Sequence, residues 1–324
     1  MTKQNQQPTN DANFASLQPM GSIENDEIDL RELFAVIWQG KWFIIAITAV
    51  FAVGAVMFAI NQPNIYKSEA LLAPADSEQG GGGLAALAGQ FGGLASMAGI
   101  NLGGGRGVDK TKMAIEVMKS RQFTSDFIQQ HNILPDLMAA KKWNMADNTI
   151  SYNDELYNQA DNQWLREVNA PFKPEPSMQE AFKKFSKVIA VNTDKETRMV
   201  TISVEHLSPS IAQQWVNWLV QDINKVMKDR DVTEAKRSIA FLESQIDQTN
   251  VADIRSILYK LIEEQAKTIM FAEVRDEYVF KTIDPALTPE EKSKPKRALI
   301  CVLGTMLGSI LGSLLVLIRF FIKK

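Results

Sequence analysis

Gly104, Lys110 and Thr111 stand at the spacing of the phosphate-binding loop G-x-x-x-x-G-K-[ST], in which backbone N–H groups cradle phosphates and the lysine pairs with them. Asp109 occupies the place of the second glycine. A carboxylate there sets negative charge beside the phosphates, and the glycine tract that precedes it does not read as a strand, so nucleotide binding is not expected. Asp253, Glu263, Glu264 and Glu273 could act as paired carboxylates, but charge runs on long helices are more often solvated faces. With two histidines, His131 and His206, there is no recognisable zinc or iron site, and the single cysteine, Cys301, forbids an intrachain disulfide. No G-x-S-x-G or Cys-His pattern stands out. The chain reads as a non-enzyme without cofactor, metal or catalytic residue.

The elements that carry these residues are organised by two uncharged apolar runs near the ends of the 324-residue chain, Phe43 to Ile60 and Ala298 to Ile318. At about 1.5 Å per residue the second spans the hydrocarbon core as a helix, and the first is just long enough. The long acidic segment before Phe43, with no small-residue cleavage pattern after Ile60, makes the first run an uncleaved anchor. Five segments follow: a tail and amphipathic lead-in (1–42), a first membrane helix (43–60), one large domain (61–297), a second membrane helix (298–318) and a short tail (319–324). Arg31 and Lys41 precede the first helix and only Lys67 follows it closely, which places both termini in the cytoplasm and the large domain outside. Lys281, Lys292, Lys294, Lys296 and Arg297 before the second helix, against Arg319, Lys323 and Lys324 after it, argue the opposite. The first helix is taken to decide, because long loops translocate largely regardless of charge. A net charge of −3 excludes a generally basic nucleic-acid binder.

Within the large domain, Ile65 to Ala73 predicts a strand, and Lys187 to Val191 and Met199 to Glu205 predict a hairpin turning at Asn192 to Lys195. With Glu277 to Ile283 they could form a small sheet. Lys110 to Gln130 predicts a single helix, and Lys142 to Pro176 an irregular excursion. Gly80 to Gly107 holds 12 of the 18 glycines, interleaved with apolar residues, and predicts either packed backbone or a loop. Ser208 caps, and Pro209 opens, a helix running to about Gln248, some 60 Å long, which is too long for a compact core. Ala235, Ile239, Leu242 and Ile246, then Val251, Ile254, Leu258 and Leu261, repeat in steps of three and four. They predict a coiled-coil-like seam for lateral packing, with a kink or turn at Thr249-Asn250. Pro285, Pro289 and Pro295 predict a semi-rigid strut into the last membrane helix. There Gly304, Gly308 and Gly312 form two G-x-x-x-G steps that permit close helix approach.

Asp29-Leu30-Arg31-Glu32-Leu33, Gly40-Lys41-Trp42, Ser208-Pro209-Ser210-Ile211-Ala212-Gln213-Gln214-Trp215, Val274-Arg275-Asp276-Glu277, the proline strut and the glycine-stepped last helix together resemble the O-antigen chain-length determinant (Wzz) family of polysaccharide co-polymerases. The resemblance covers nearly the whole chain. It implies an α+β inner-membrane protein of Gram-negative bacteria: two terminal transmembrane helices flanking a periplasmic domain with a small α/β base and long projecting helices. It also implies a homo-oligomer that sets lipopolysaccharide O-antigen length beside the Wzy-type polymerase, in contact with membrane lipid and the growing polysaccharide. A co-polymerase for capsule or exopolysaccharide is one alternative, although only six residues follow the last helix where that branch appends a kinase; a two-helix membrane sensor is another. The glycine tract is longer than in the simplest members.

Overall fold

In the computed structural model the described residues are 30–75 and 110–323, so the glycine tract, Asp26 and most of the phosphate-loop match lie outside them. Two units make up the chain, one of residues 57–299 and one of residues 1–56 with 300–324.

The larger unit is built on a four-stranded antiparallel sheet. Its strands are β1 (Tyr66–Pro74), β6 (Ile189–Thr193), β7 (Val200–His206) and β8 (Phe280–Asp284), in the order β6-β7-β1-β8. Alternation along β1 and β7 puts Ala70, Leu72, Val200, Ile202 and Val204 on one face, each 2% exposed or less. The register pairs Ala70 with Ile202 and Leu72 with Val200, so neighbouring strands present matched apolar side chains. The proximal half of α7 (Pro209–Gln248) contributes Trp215, Leu219 and Ile223 to the same core. The helices α3 (Lys110–Met118), α4 (Arg121–Gln130), α5 (Leu134–Met138) and α6 (Met178–Val188) complete it with Met118, Phe127, Leu137 and Phe185.

Three expectations need correction. The single helix over Lys110 to Gln130 is two, because Ser120 turns extended (φ −71°, ψ 155°) and its hydroxyl accepts the N–H of Phe123, capping α4. The excursion Lys142 to Pro176 contains two small hairpins, β2 (Ala140–Asn144) with β3 (Thr149–Tyr152) and β4 (Tyr157–Asn158) with β5 (Gln163–Trp164). Asn148 and Asn162 turn them at positive φ, a conformation asparagine tolerates well. Helix α6, which the sequence reading left unassigned, runs to Val188 and shortens the following strand; a reciprocal capping box between Ser177 and Glu180 starts it.

α7 is one helix of 40 residues within the predicted limits. Thr249, Asn250 and Val251 then reverse the chain, and α8 (Ala252–Val274) packs back along the distal half of α7. The returning chain re-enters the base where Tyr278 Oη donates to Asp231 (2.7 Å) and Asn224 takes hold of the backbone. Buried Asn224 accepts the N–H groups of Val279 (2.8 Å) and Phe280 (2.9 Å) and donates to the Phe280 carbonyl (3.1 Å).

The described residues of the smaller unit are helical, apart from the turn at Gly40. α1 (Leu30–Gln39) leads through Gly40 into α2 (Lys41–Asn61), and α9 (Arg297–Lys323) closes the chain. α2 and α9 are both long and apolar enough to cross a membrane, and each begins slightly before the uncharged run it contains.

Candidate functional site

Three surfaces carry the residues singled out from the sequence. The first is the helical hairpin. Along it Ala235 and Ile246 are buried, Ile239, Leu242, Leu258 and Leu261 are half-buried, and Ile254 and Val251 are exposed. Part of the predicted seam is therefore used within the hairpin, where α7 packs on α8. A second set of apolar side chains faces outward: Phe241 is 63% exposed, Tyr259 59% and Ile257 41%. These lie off the heptad positions, and their signal in the sequence is large apolar residues set among charges.

The proline connection is the second surface. Pro285, Pro289 and Pro295 sit in a segment tied repeatedly to the base. Gln213 Nε2 donates to the Ala286 carbonyl (2.9 Å), Ser68 Oγ to the Leu287 carbonyl (2.7 Å), and Ser293 N–H to the Ile65 carbonyl (2.8 Å). Lys294 adds an ion pair to Glu205 (2.6 Å). Gln213 belongs to the Ser208 to Trp215 segment quoted above, and its amide links the start of α7 to this connection. At that start, burial holds the His206 imidazole below its usual pKa. Its Nδ1 accepts the Ser208 N–H (3.1 Å), which positions the residue that caps α7.

The third surface is the glycine face of α9. Gly304 lies against Ala55; a Cβ added at Gly308 would stand 2.7 Å from Phe51 Cβ, and one at Gly312 3.2 Å from Ile44 Cα. The partners Ala55, Phe51 and Ile44 step backward along α2 as the glycines step forward along α9, so the two helices run antiparallel here. Gly40 approaches Val316 in the same way, a contact that no glycine motif signalled.

Several of the residues weighed for chemistry have partners within the fold. Lys110 pairs with Asp231 (2.9 Å) and lies over the Tyr278 ring, while Thr111 is buried in α3. Lys267 bridges Glu263 (2.8 Å) and Glu264 (3.1 Å) on the outer side of α8. His131 pairs with Asp222 (2.8 Å) and stacks on Trp218. Among the described residues no group of three or more His, Cys, Asp or Glu side chains is arranged to hold a metal ion.

The family model for the Wzz chain length determinant protein matches residues 26–131, from the lead-in helix through α4. About a third of the chain thus matches the Wzz chain length determinant model. A second model, the G-rich domain on putative tyrosine kinase, matches residues 254–321, which hold most of α8, the proline connection and most of α9. The chain is similar to a solved full-length bacterial polysaccharide co-polymerase at 14% identity, covering 91% of this chain and 98% of that one with a TM-score of 0.36. It is also similar to a fragment of WzzB, a polysaccharide co-polymerase from Salmonella Typhimurium, at 13% identity, covering 71% of this chain and 100% of that one with a TM-score of 0.26. No curated protein sequence matches significantly.

Proposed function

We propose that this chain regulates the length of lipopolysaccharide O-antigen as a homo-oligomeric polysaccharide co-polymerase working beside a Wzy-type polymerase. The match of the Wzz model to residues 26–131 carries this reading. Two apolar helices and the family support an inner-membrane protein. Both termini lie in the cytoplasm and residues 61–297 in the periplasm, where the exposed apolar residues of the hairpin pack against neighbouring subunits. The part played is that of a scaffold: the subunits set how long the polymerase holds a growing glycan, and no bond is made or broken by this chain. α2 and α9 anchor the assembly, and their close packing at Gly304, Gly308 and Gly312 transmits the set of the base into the membrane.

The test is the electrophoretic profile of lipopolysaccharide from cells with and without the gene, followed by Gly308→Leu. Leucine keeps α9 apolar and insertable but cannot fit beside Phe51. The gene sets a modal O-antigen length, and Gly308→Leu broadens or shifts it while Leu315→Ala changes little. An unaltered profile on deletion removes the reading. The G-rich-domain match over 254–321 favours a second reading, in which the regulated polymer is capsule or exopolysaccharide. In that case deletion changes that polymer's size distribution and leaves the O-antigen bands in place.

A further inference from the structure

The base carries a second feature that chain-length control does not explain. A cleft of about 630 Å³ opens in the larger unit beside the last residues of α2 and the first residue of α9. Chain connectivity therefore puts it where the two apolar spans end. Three cations line it, Lys141, Lys142 and Arg297, against one carboxylate, Asp154. Successive residues on a regular strand point to opposite faces. Here the pairing of β2 with β3 is irregular between Ala140 and Lys142, and both lysines line the same cleft. Among the described residues no carboxylate pairs with either lysine or with the guanidinium.

The guanidinium is positioned from behind. Arg297 Nε donates to the Ala59 carbonyl (3.1 Å) at the end of α2, and one Nη donates to Asn64 Oδ1 (3.2 Å), leaving N–H groups to spare. Aromatic rings line the cleft as well. Trp143 meets Tyr66 edge to face at 5.4 Å, and its indole N–H is held by Asn148 (2.9 Å), so the ring is set in place. Tyr152 is fixed by donating to Asp136 (2.6 Å). Asn61 and Gln62 add neutral amides to the lining. Cations that line one cavity without carboxylate partners suit a phosphate, and amides beside a fixed indole ring suit the hydroxyls and apolar face of an attached sugar or glycerol.

We infer that this cleft binds a lipid-borne phosphate ester, with the phosphate on Lys141, Lys142 and Arg297 and the polar group it carries against Trp143. The inference rests on the chain being membrane-anchored and is independent of which polymer it regulates. The ester could be a polyprenyl phosphate or an anionic glycerophospholipid, and the experiment separates these.

The full-length protein in neutral detergent is titrated with farnesyl phosphate against farnesol, and with dioleoyl phosphatidylglycerol against dioleoylglycerol, with bound lipid counted by native mass spectrometry. Each phosphate should bind about tenfold or more tighter than its uncharged counterpart, the difference expected of charge-assisted contacts. The Lys141→Gln/Lys142→Gln variant should lose most of that preference, since both side chains are exposed and their loss spares the core. The control Lys183→Gln/Lys195→Gln, with the same charge change outside the cleft, should keep it. Inorganic phosphate should displace farnesyl phosphate from the unaltered protein, a readout that needs no variant. Tighter binding of farnesyl phosphate identifies a polyprenyl carrier, and tighter binding of phosphatidylglycerol identifies bulk lipid. Equal binding of phosphate and alcohol, or equal losses in the cleft and control variants, would overturn the site.

Discussion

The two halves of α7 have one backbone and opposite surroundings. From Pro209 to Met227 the helix lies on the sheet and buries Trp215, Leu219, Ile223 and Met227 to 1% exposure or less. Beyond that, only Ala235 and Ile246 are buried, and Phe241 stands 63% exposed while still helical. The base is a core whose stability comes from apolar area removed from water within one chain. The distal hairpin holds its form by packing two helices on each other and leaves several large apolar side chains exposed, among them Phe241, Ile254, Ile257 and Tyr259. Mutations in the two regions should therefore separate folding from assembly.

The comparison is tested most severely at Trp215. Trp215→Ala removes the largest fully buried side chain among the described residues and should cost about 3–5 kcal/mol, read from chemical unfolding of the full chain in detergent. Phe241→Ala, an equally drastic truncation in the other half of the same helix, should cost less than about 0.5 kcal/mol. Similar losses at the two positions would mean that the hairpin belongs to the core.

Asn224 sharpens the boundary between the regions. Its amide serves three backbone groups where the chain returns from the hairpin, and Asn224→Ala leaves buried donors and an acceptor unpaired. A loss of about 1–3 kcal/mol is expected, with amide exchange accelerating first at Val279 and Phe280. Uniform acceleration across the sheet would show that β8 is no separate joint.

On the hairpin, Ile254→Glu with Ile257→Glu should leave the midpoint of unfolding nearly unchanged and shift the oligomer distribution toward smaller species in cross-linking. Ile239→Glu with Leu242→Glu, at half-buried positions, should weaken assembly and loosen the hairpin together. Undiminished oligomers in both pairs would remove the hairpin from the subunit interface.

The smallest effect is in pH. Hydrogen bonds from Arg166 and from the Ser177 backbone hold the Glu180 carboxyl down at about 2, below its ordinary 4.5. A carboxylate depressed in the folded state contributes stability above its unfolded pKa, and that contribution fades as pH falls from about 4.5 toward 2. Glu180→Gln should therefore flatten the stability profile in that window. Glu263 is also depressed, by Lys267, but its side chain is 64% exposed. Glu263→Gln should change the profile less, and moderate salt should erase the difference.

Much of this contrast is legible in the chain before it folds. The Ser208 cap, Pro209 at the first helical position and the unbroken pattern to Gln248 are local signals, and α7 has those limits because capping and propensity act within a few residues. The apolar spans and the strands of the sheet are legible for the same reason, since a run of uncharged residues or a period of two is a property of contiguous sequence. Short elements are harder to read. The break at Ser120 and the two-residue strands β4 and β5 offer too few residues for a period to show. Which apolar residues α8 covers as it folds back on α7, the hold of Asn224 on a strand more than fifty residues away, the close approach of Gly308 to Phe51, and the gathering of Lys141 and Lys142 with Arg297 belong to the tertiary structure alone. These depend on where separate segments meet, and distance along the chain carries no information about that until burial of the core has brought them together.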